Sequence, residues 1–162
     1  MNAMDDFIYF LKKNVLVVAS GSFLLLLLLA VIFAPLLVSY TPIELNITEK
    51  LATPGWDHLL GTDYFGRDVL SRILYGGRFT LAIGIGVVSI AFVVGVTFGT
   101  IAGYFGGIVD TVIMRFVDAL LSFPALVLAI ALAAALGPSL TNAMLAVAIT
   151  LSPQFARVAR SQ

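Results

Sequence analysis

Three stretches of this chain carry no charged side chain: residues 15–38, 79–109 and 119–156. A bilayer hydrocarbon core about 30 Å thick takes about 20 apolar residues at about 1.5 Å of helix rise each. The first two runs are each long enough to cross once, and the third, 38 residues, is long enough to cross twice. The expected class is an all-α integral membrane protein with about four transmembrane helices. Composition agrees. Of the 162 residues, 60% are hydrophobic and 11% charged, against about 45–50% and about 25% in soluble domains.

That composition excludes several classes. A soluble enzyme and a disordered chain fit poorly. Nine basic and nine acidic residues cancel, so no basic surface points to nucleic acid. There is no cysteine, hence no disulfide framework, thiolate metal site or cysteine nucleophile. The one histidine, His58, reads as a loop or interfacial residue and not as a metal ligand. There is no G-x-x-x-x-G-K-[ST], H-E-x-x-H or G-x-S-x-G motif and no paired carboxylate set within a span. Enzymatic activity, ATP hydrolysis included, is therefore not expected of this chain.

The run 15–38 centres on six leucines at 24–29. It exceeds the h-region of a signal peptide, about 7–15 residues, and Pro35 follows the nearest small residue, Ala34. It reads as an uncleaved anchor. The second span has its core at 81–101, with a tight turn at Gly106 and Gly107. Gly137 and Pro138 divide the third run into spans at about 111–136 and 140–156, with Ser139 and Asn142 at the restart. Lys12 and Lys13 precede the first span, whereas Glu44 and Glu49 follow it. The positive-inside rule then predicts a cytoplasmic N-terminus. Arg157 and Arg160 agree after four crossings, although the segment 39–78 also holds Lys50, Arg67, Arg72 and Arg78. The expected organisation is an N-terminus and anchor (1–38), an outer segment (39–78) and a three-span core (79–162).

In the outer segment, Val69, Leu70, Ile73 and Leu74 share one helical face, and Asp68 and Arg72 are spaced to pair at i,i+4. The pattern predicts a short amphipathic surface helix over 64–75, capped by Asp63 and joined to the second span through Gly76 and Gly77. Trp56, Tyr64, Phe65 and Tyr75 suit the aromatic belt of a membrane interface. In the second span, Ala91, Gly95, Gly99 and Gly103 recur every four residues. Such a stripe lets another helix approach closely, from this chain or from a partner. The third span opens with Asp110, Arg115 and Asp118, with Arg115 and Asp118 spaced to pair at i,i+3. Ser122, Phe123 and Pro124 predict a kink, and Pro153 a bend at the exit of the fourth span. Asn142, Thr150, Ser152 and Gln154 are un-ionised polar groups suited to helix pairing or to lining a passage.

Several of these segments occur together in one known family. His58-Leu59-Leu60-Gly61-Thr62-Asp63, then Gly66-Arg67-Asp68-Val69-Leu70-Ser71-Arg72, resembles the LGTDxxGRDxxSR signature of the C-type inner-membrane permease subunits of dipeptide, oligopeptide and nickel ABC importers. The likeness continues through Tyr75-Gly76-Gly77-Arg78, Gly103-Tyr104-Phe105-Gly106-Gly107, Met114-Arg115, Asp118, Ser122-Phe123-Pro124 and Leu136-Gly137-Pro138 to Ala156-Arg157-Val158-Ala159-Arg160. It implies the N-terminal part of a six-span permease fold in a bacterial or archaeal cytoplasmic membrane. It also implies ATP-driven alternating access for peptides, nickel or a related small solute. The implied partners are a second homologous permease subunit, two cytoplasmic ATPase subunits that bind the ATP and Mg, a solute-binding protein outside, and the lipid bilayer. No cofactor is implied for this chain. Family members have six spans and an E-A-A-x-x-x-G loop after the fourth, whereas this sequence stops at Gln162. The resemblance therefore implies a permease cut before its coupling loop. A non-transporting four-helix scaffold, or an inactive permease remnant, is the alternative.

Overall fold

The computed structural model describes residues 13–162. Lys12, one of the two lysines used for orientation, lies outside them. The described residues form helices and connecting turns, with no β-strand beyond one isolated antiparallel bridge, Thr62 to Asp68. The chain divides into two compact units, Met1–Thr80 and Leu81–Gln162.

The first unit begins with helix α1, Val15–Ile32, which is apolar on all sides and buries none of its residues. That is the pattern of a helix solvated by lipid. Pro35 stops it early. The chain turns at Phe33 and restarts as the four-residue α2, Ala34–Leu37, where proline in the first turn costs no hydrogen bond. The expected single run 15–38 is thus two helices. A cap follows, residues 38–68, whose regular structure is one 3-10 turn, Ile47–Glu49.

Helix α3, Val69–Phe105, is 37 residues long, or about 55 Å at the usual rise. This corrects the sequence reading. No separate amphipathic helix covers 64–75; residues 64–68 are turn and bridge, and Val69 to Tyr75 are the first turns of α3. Gly76 and Gly77 do not interrupt it. Glycine in a helix costs only about 1 kcal/mol relative to alanine, and two contacts work against a break here. The Thr80 hydroxyl donates to the Gly76 carbonyl at 3.0 Å. Val31 of α1 packs where a Gly77 side chain would be, 2.8 Å from an ideal Cβ.

The second unit holds the rest of α3, then α4 (Gly107–Leu121), α5 (Ala125–Leu136) and α6 (Leu140–Arg160). The expected turn is present, with Gly106 and Gly107 at φ +61° and +51°. The expected third span is not one kinked helix: α4 and α5 meet at 97°. Pro124 has no N–H to give, and its ring disfavours helical backbone at Phe123. The Ser122 hydroxyl closes α4 by donating to the Ala119 carbonyl at 2.7 Å.

Gly137 at φ +92° ends α5. The Ser139 hydroxyl caps α6 by accepting from the Asn142 N–H at 3.0 Å, and the Asn142 amide donates back to the Leu136 carbonyl at 2.6 Å. Helix α6 runs on through Pro153, whose missing donor would leave the Ile149 carbonyl open. The Ser152 hydroxyl fills that place at 3.0 Å.

Among the described residues, α1 and α3 are long and apolar enough to cross a membrane, and α4 with α5 would make a third span if the bent pair is one. Helix α6 has the length expected of the fourth span, 21 residues. Asn142, Gln154, Arg157 and Arg160 lower its hydropathy, and it is not among these candidates.

Candidate functional site

The residues singled out in the sequence fall into a cap cluster in the first unit and a helix-packing seam with flanking ion pairs in the second. In the cap, Asp63 organises the turn. One carboxylate oxygen accepts from the backbone N–H groups of Phe65 (2.8 Å) and Arg67 (3.1 Å). The other takes the Arg67 guanidinium at 2.8 Å and that of Arg72. Burial pushes the Asp63 carboxyl up, but the Phe65 and Arg67 N–H groups and the Arg67 guanidinium outweigh it and hold it at about 2. Asp63 does not cap a helix as expected. Asp68 does, accepting from the Ser71 N–H at 2.7 Å, immediately ahead of Val69. The predicted Asp68–Arg72 pair does not form, because Arg72 turns back to Asp63.

His58 is 6% exposed and lies between two carboxylates. Its Nδ1 is 2.9 Å from Asp68 Oδ1 and its Nε2 is 3.1 Å from Glu49 Oε2. The Tyr40 ring stacks on it with centroids 4.6 Å apart. Two acceptors facing two ring nitrogens favour the doubly protonated imidazolium. The Asp68 and Glu49 hydrogen bonds accordingly raise the His58 pKa, against a burial effect that lowers it. The Thr62 hydroxyl donates to the Glu49 carbonyl and accepts from the Ala52 N–H at 2.8 Å. Gly66, at φ +72°, lies so close to the Asn46 carbonyl that any side chain would overlap it. Gly61, at φ +73°, faces the Ala52 carbonyl in the same way. The cavity beside His58, about 40 Å³, has room for little more than water. It cannot hold a peptide.

In the second unit the small-residue stripe of α3 lies against α6. Ala91 is fully buried. A side chain at Gly95 would overlap the Ser152 carbonyl, and one at Gly99 would overlap Ala156; Gly103 faces Arg160 more loosely, at 3.3 Å. Val87, Ala91 and Ala148 form the packed centre, with Met144 and Phe155 against them. An apolar groove of about 520 Å³ runs between α3, α4 and α6, lined by Phe98, Phe116 and Pro153 among others.

The ion pairs differ from the expected local one. Asp118 pairs with Arg157, 39 residues on, at 2.9 Å, and Asp110 with Arg160 at 2.5 Å. Arg115 is exposed and makes no ion pair among the described residues. An i,i+3 pair is worth only about 0.2–0.5 kcal/mol, so the arginines of α6 displace it readily. Ser122, Phe123 and Pro124 form the sharp turn between α4 and α5.

The chain matches two family models. Residues 3–54 match the N-terminal TM domain of oligopeptide transport permease C. Residues 95–162 match the binding-protein-dependent transport system inner membrane component. The probable D,D-dipeptide transport system permease protein of Escherichia coli (strain K12) is 45% identical over 155 residues, 96% of this chain and 52% of that protein.

The chain belongs to the binding-protein-dependent ABC permeases, with the dipeptide and oligopeptide C subunits.

Two further permeases show the same extent of likeness. The dipeptide transport system permease protein of Alkalihalophilus pseudofirmus is 45% identical over 94% of this chain and 50% of its own length. The glutathione transport system permease protein of Pectobacterium atrosepticum is 42% identical over 93% and 50%. The chain thus spans about half the length of the curated relatives it matches. The family is one of membrane transport components and not of enzymes. Within this permease chain, the N-terminal match takes in α1, α2 and the cap up to Pro54, and the second starts at Gly95 in the middle of the stripe. The LGTD and GRD residues lie between the two. Sequence reasoning missed Glu49 and Tyr40 as partners of His58. No local pattern marks them, since Glu49 lies nine residues from His58 and is brought in by the 3-10 turn.

Proposed function

We propose that this permease chain forms part of the translocation path of an ABC importer for peptide-type solutes. What supports the reading is the pair of family matches, together with relatives whose names specify dipeptide, D,D-dipeptide and glutathione transport. Nickel, the other solute class of the signature, appears in none of these names and is the second choice. The chain does no covalent chemistry on this reading. Its work is alternating access: ATP binding in two partner ATPase subunits, with Mg, biases an equilibrium between inward-open and outward-open states. A second homologous permease encloses the path, and a solute-binding protein delivers the solute to the outer face. The N-terminus is cytoplasmic, which puts the cap outside and Arg157 and Arg160 inside.

Several residues are given conformational roles. The Gly95, Gly99 and Gly103 stripe keeps α3 and α6 in contact during the transition. Pro124 sets the break between α4 and α5. Asp110 and Asp118 hold the end of α6, and Arg115 remains available to a partner. The charged side of the cap motif, Arg67 and Arg72 held by Asp63, presents a fixed surface to the delivering protein. The test is uptake of a labelled dipeptide by proteoliposomes holding this chain in its native reading frame with its neighbouring permease, ATPases and binding protein. ATP-dependent uptake is expected. Assembly of all components without uptake of any peptide would leave the non-transporting scaffold as the better reading.

A further inference from the structure

The cap buries several polar side chains and exposes most of its large apolar ones. Its buried side chains include His58, Thr62 and Asp68, with Ser71 of the adjoining α3 turn. Its large apolar side chains point away from them: Ile43, Ile47, Leu59, Tyr64 and Phe65 are exposed, and Trp56 is 99% exposed. Single exposed apolar residues are ordinary on a protein surface. A 31-residue segment that exposes this many large apolar side chains, while burying His58, Thr62 and Asp68, is not, even with Glu44, Lys50 and Asp57 exposed among them.

Of the charged groups, Asp57 and Glu44 stay exposed, at a depth that headgroups and water would reach, and the others are matched inside the cap. Asp63 is paired with Arg67 and Arg72, and Asp68 and Glu49 hold His58. Two cations are laid over rings: Lys50 over Tyr64 at 5.7 Å and Arg67 over Phe65 at 4.9 Å. The covering surface follows from the chain on either side. The cap is tied to α1 and α3, both long and apolar enough to cross a membrane, so its two ends leave from the membrane surface. The exposed apolar character of α1 continues through Leu36 and Leu37 of α2 into the cap. Tryptophan and tyrosine, with an apolar body and a polar edge, favour the boundary between headgroups and acyl chains.

We propose that the cap docks on the bilayer, with the Trp56 ring seated in that boundary. The docking surface belongs to this chain alone and stands whether or not the transport reading does.

Trp56 is the only tryptophan in the chain, so its fluorescence reports this position directly. The full chain is reconstituted in phosphatidylcholine vesicles carrying bromine at defined carbons of the acyl chain, with Trp56→Phe as the blank. The expected result is blue-shifted emission, lost for the most part to bromine near the headgroup, much less to bromine near the chain end, and little to acrylamide in the water. A second reporter, Ile47→Trp in the Trp56→Phe background, should show the same graded loss. Water-like emission, quenched by acrylamide and unaffected by brominated lipid at both positions, overturns the proposal. So does shielding from acrylamide that appears only when the homologous partner permease is co-reconstituted, because the occupant is then protein.

Discussion

In the cap the buried side chains are polar and the backbone follows no regular pattern; in the unit from Leu81 onward the buried side chains are mostly small and the backbone is almost all helix. The two regions solve one problem, satisfying the backbone in or near lipid, by different means. The helices bond their own carbonyls and leave side chains to pack. The cap spends its side chains on the backbone: Asp63 and Thr62 take N–H groups of its irregular chain, and Asp68 takes the Ser71 N–H in the first turn of α3. Specificity in the cap therefore resides in charge and hydrogen-bond partners, and in the helical unit in the absence of side-chain volume.

The largest expected effect is in the helical unit. Gly99→Leu places a branched side chain into the Ala156 backbone. Overpacking of this kind costs about 3 kcal/mol, and a thermal melt in detergent should show it, whereas Gly84→Leu, where nothing lies within 4 Å, should melt normally. Equal melts for the two would remove the seam from the argument.

A smaller effect separates the regions by pH. His58 has a raised native pKa. Its contribution to the cap is therefore complete below about 6.5, the unfolded value, and is lost as pH rises through the native value. Glu49, Asp68 and the nearby Glu44 are the carboxylates that face it. The single histidine C2–H resonance should titrate above its free value, and protease cleavage within the cap should quicken over the same interval. The unit from Leu81 contains no histidine and should be unaffected there. Asp68→Asn should move the titration back toward the free value; a midpoint already at the free value in the unaltered chain would refute the imidazolium assignment.

The smallest effect is on the exposed ion pairs. Arg157 and Asp118 are about 60% exposed, and pairs of that kind are worth about 0.2–1 kcal/mol and are screened by salt. Arg157→Gln should change the melt by no more than that, with the difference vanishing at high ionic strength. A large, salt-independent loss would show that α4 and α6 depend on charge as the cap does.

The same division explains what was legible in the sequence. The apolar runs, the Gly137–Pro138 break and the small-residue stripe are read from local pattern, because helix geometry converts spacing directly into position. The cap offers no such conversion. Asp63, Asp68 and Arg72 stand out as a group, but helical spacing pairs them wrongly, because the helix begins only at Val69. Once residues 64–68 turn, Arg72 reaches Asp63 and Asp68 is free to cap the helix and hold His58. Pro124 by itself predicts only a kink; the 97° turn depends on the Ser122 hydroxyl and on proline restricting Phe123. Spacing pairs Arg115 with Asp118 and cannot anticipate an arginine arriving from α6.

The hydroxyl of Ser152 standing in for the donor that Pro153 lacks has an evolutionary consequence. The dependence runs one way: without the serine the Ile149 carbonyl loses its donor, whereas without the proline the backbone N–H returns and the hydroxyl can share the same carbonyl, as the Thr97 hydroxyl does at Val93. The tolerated order of change at these positions therefore loses the proline before the serine, and lineages that abandon the proline are free to replace the serine with alanine.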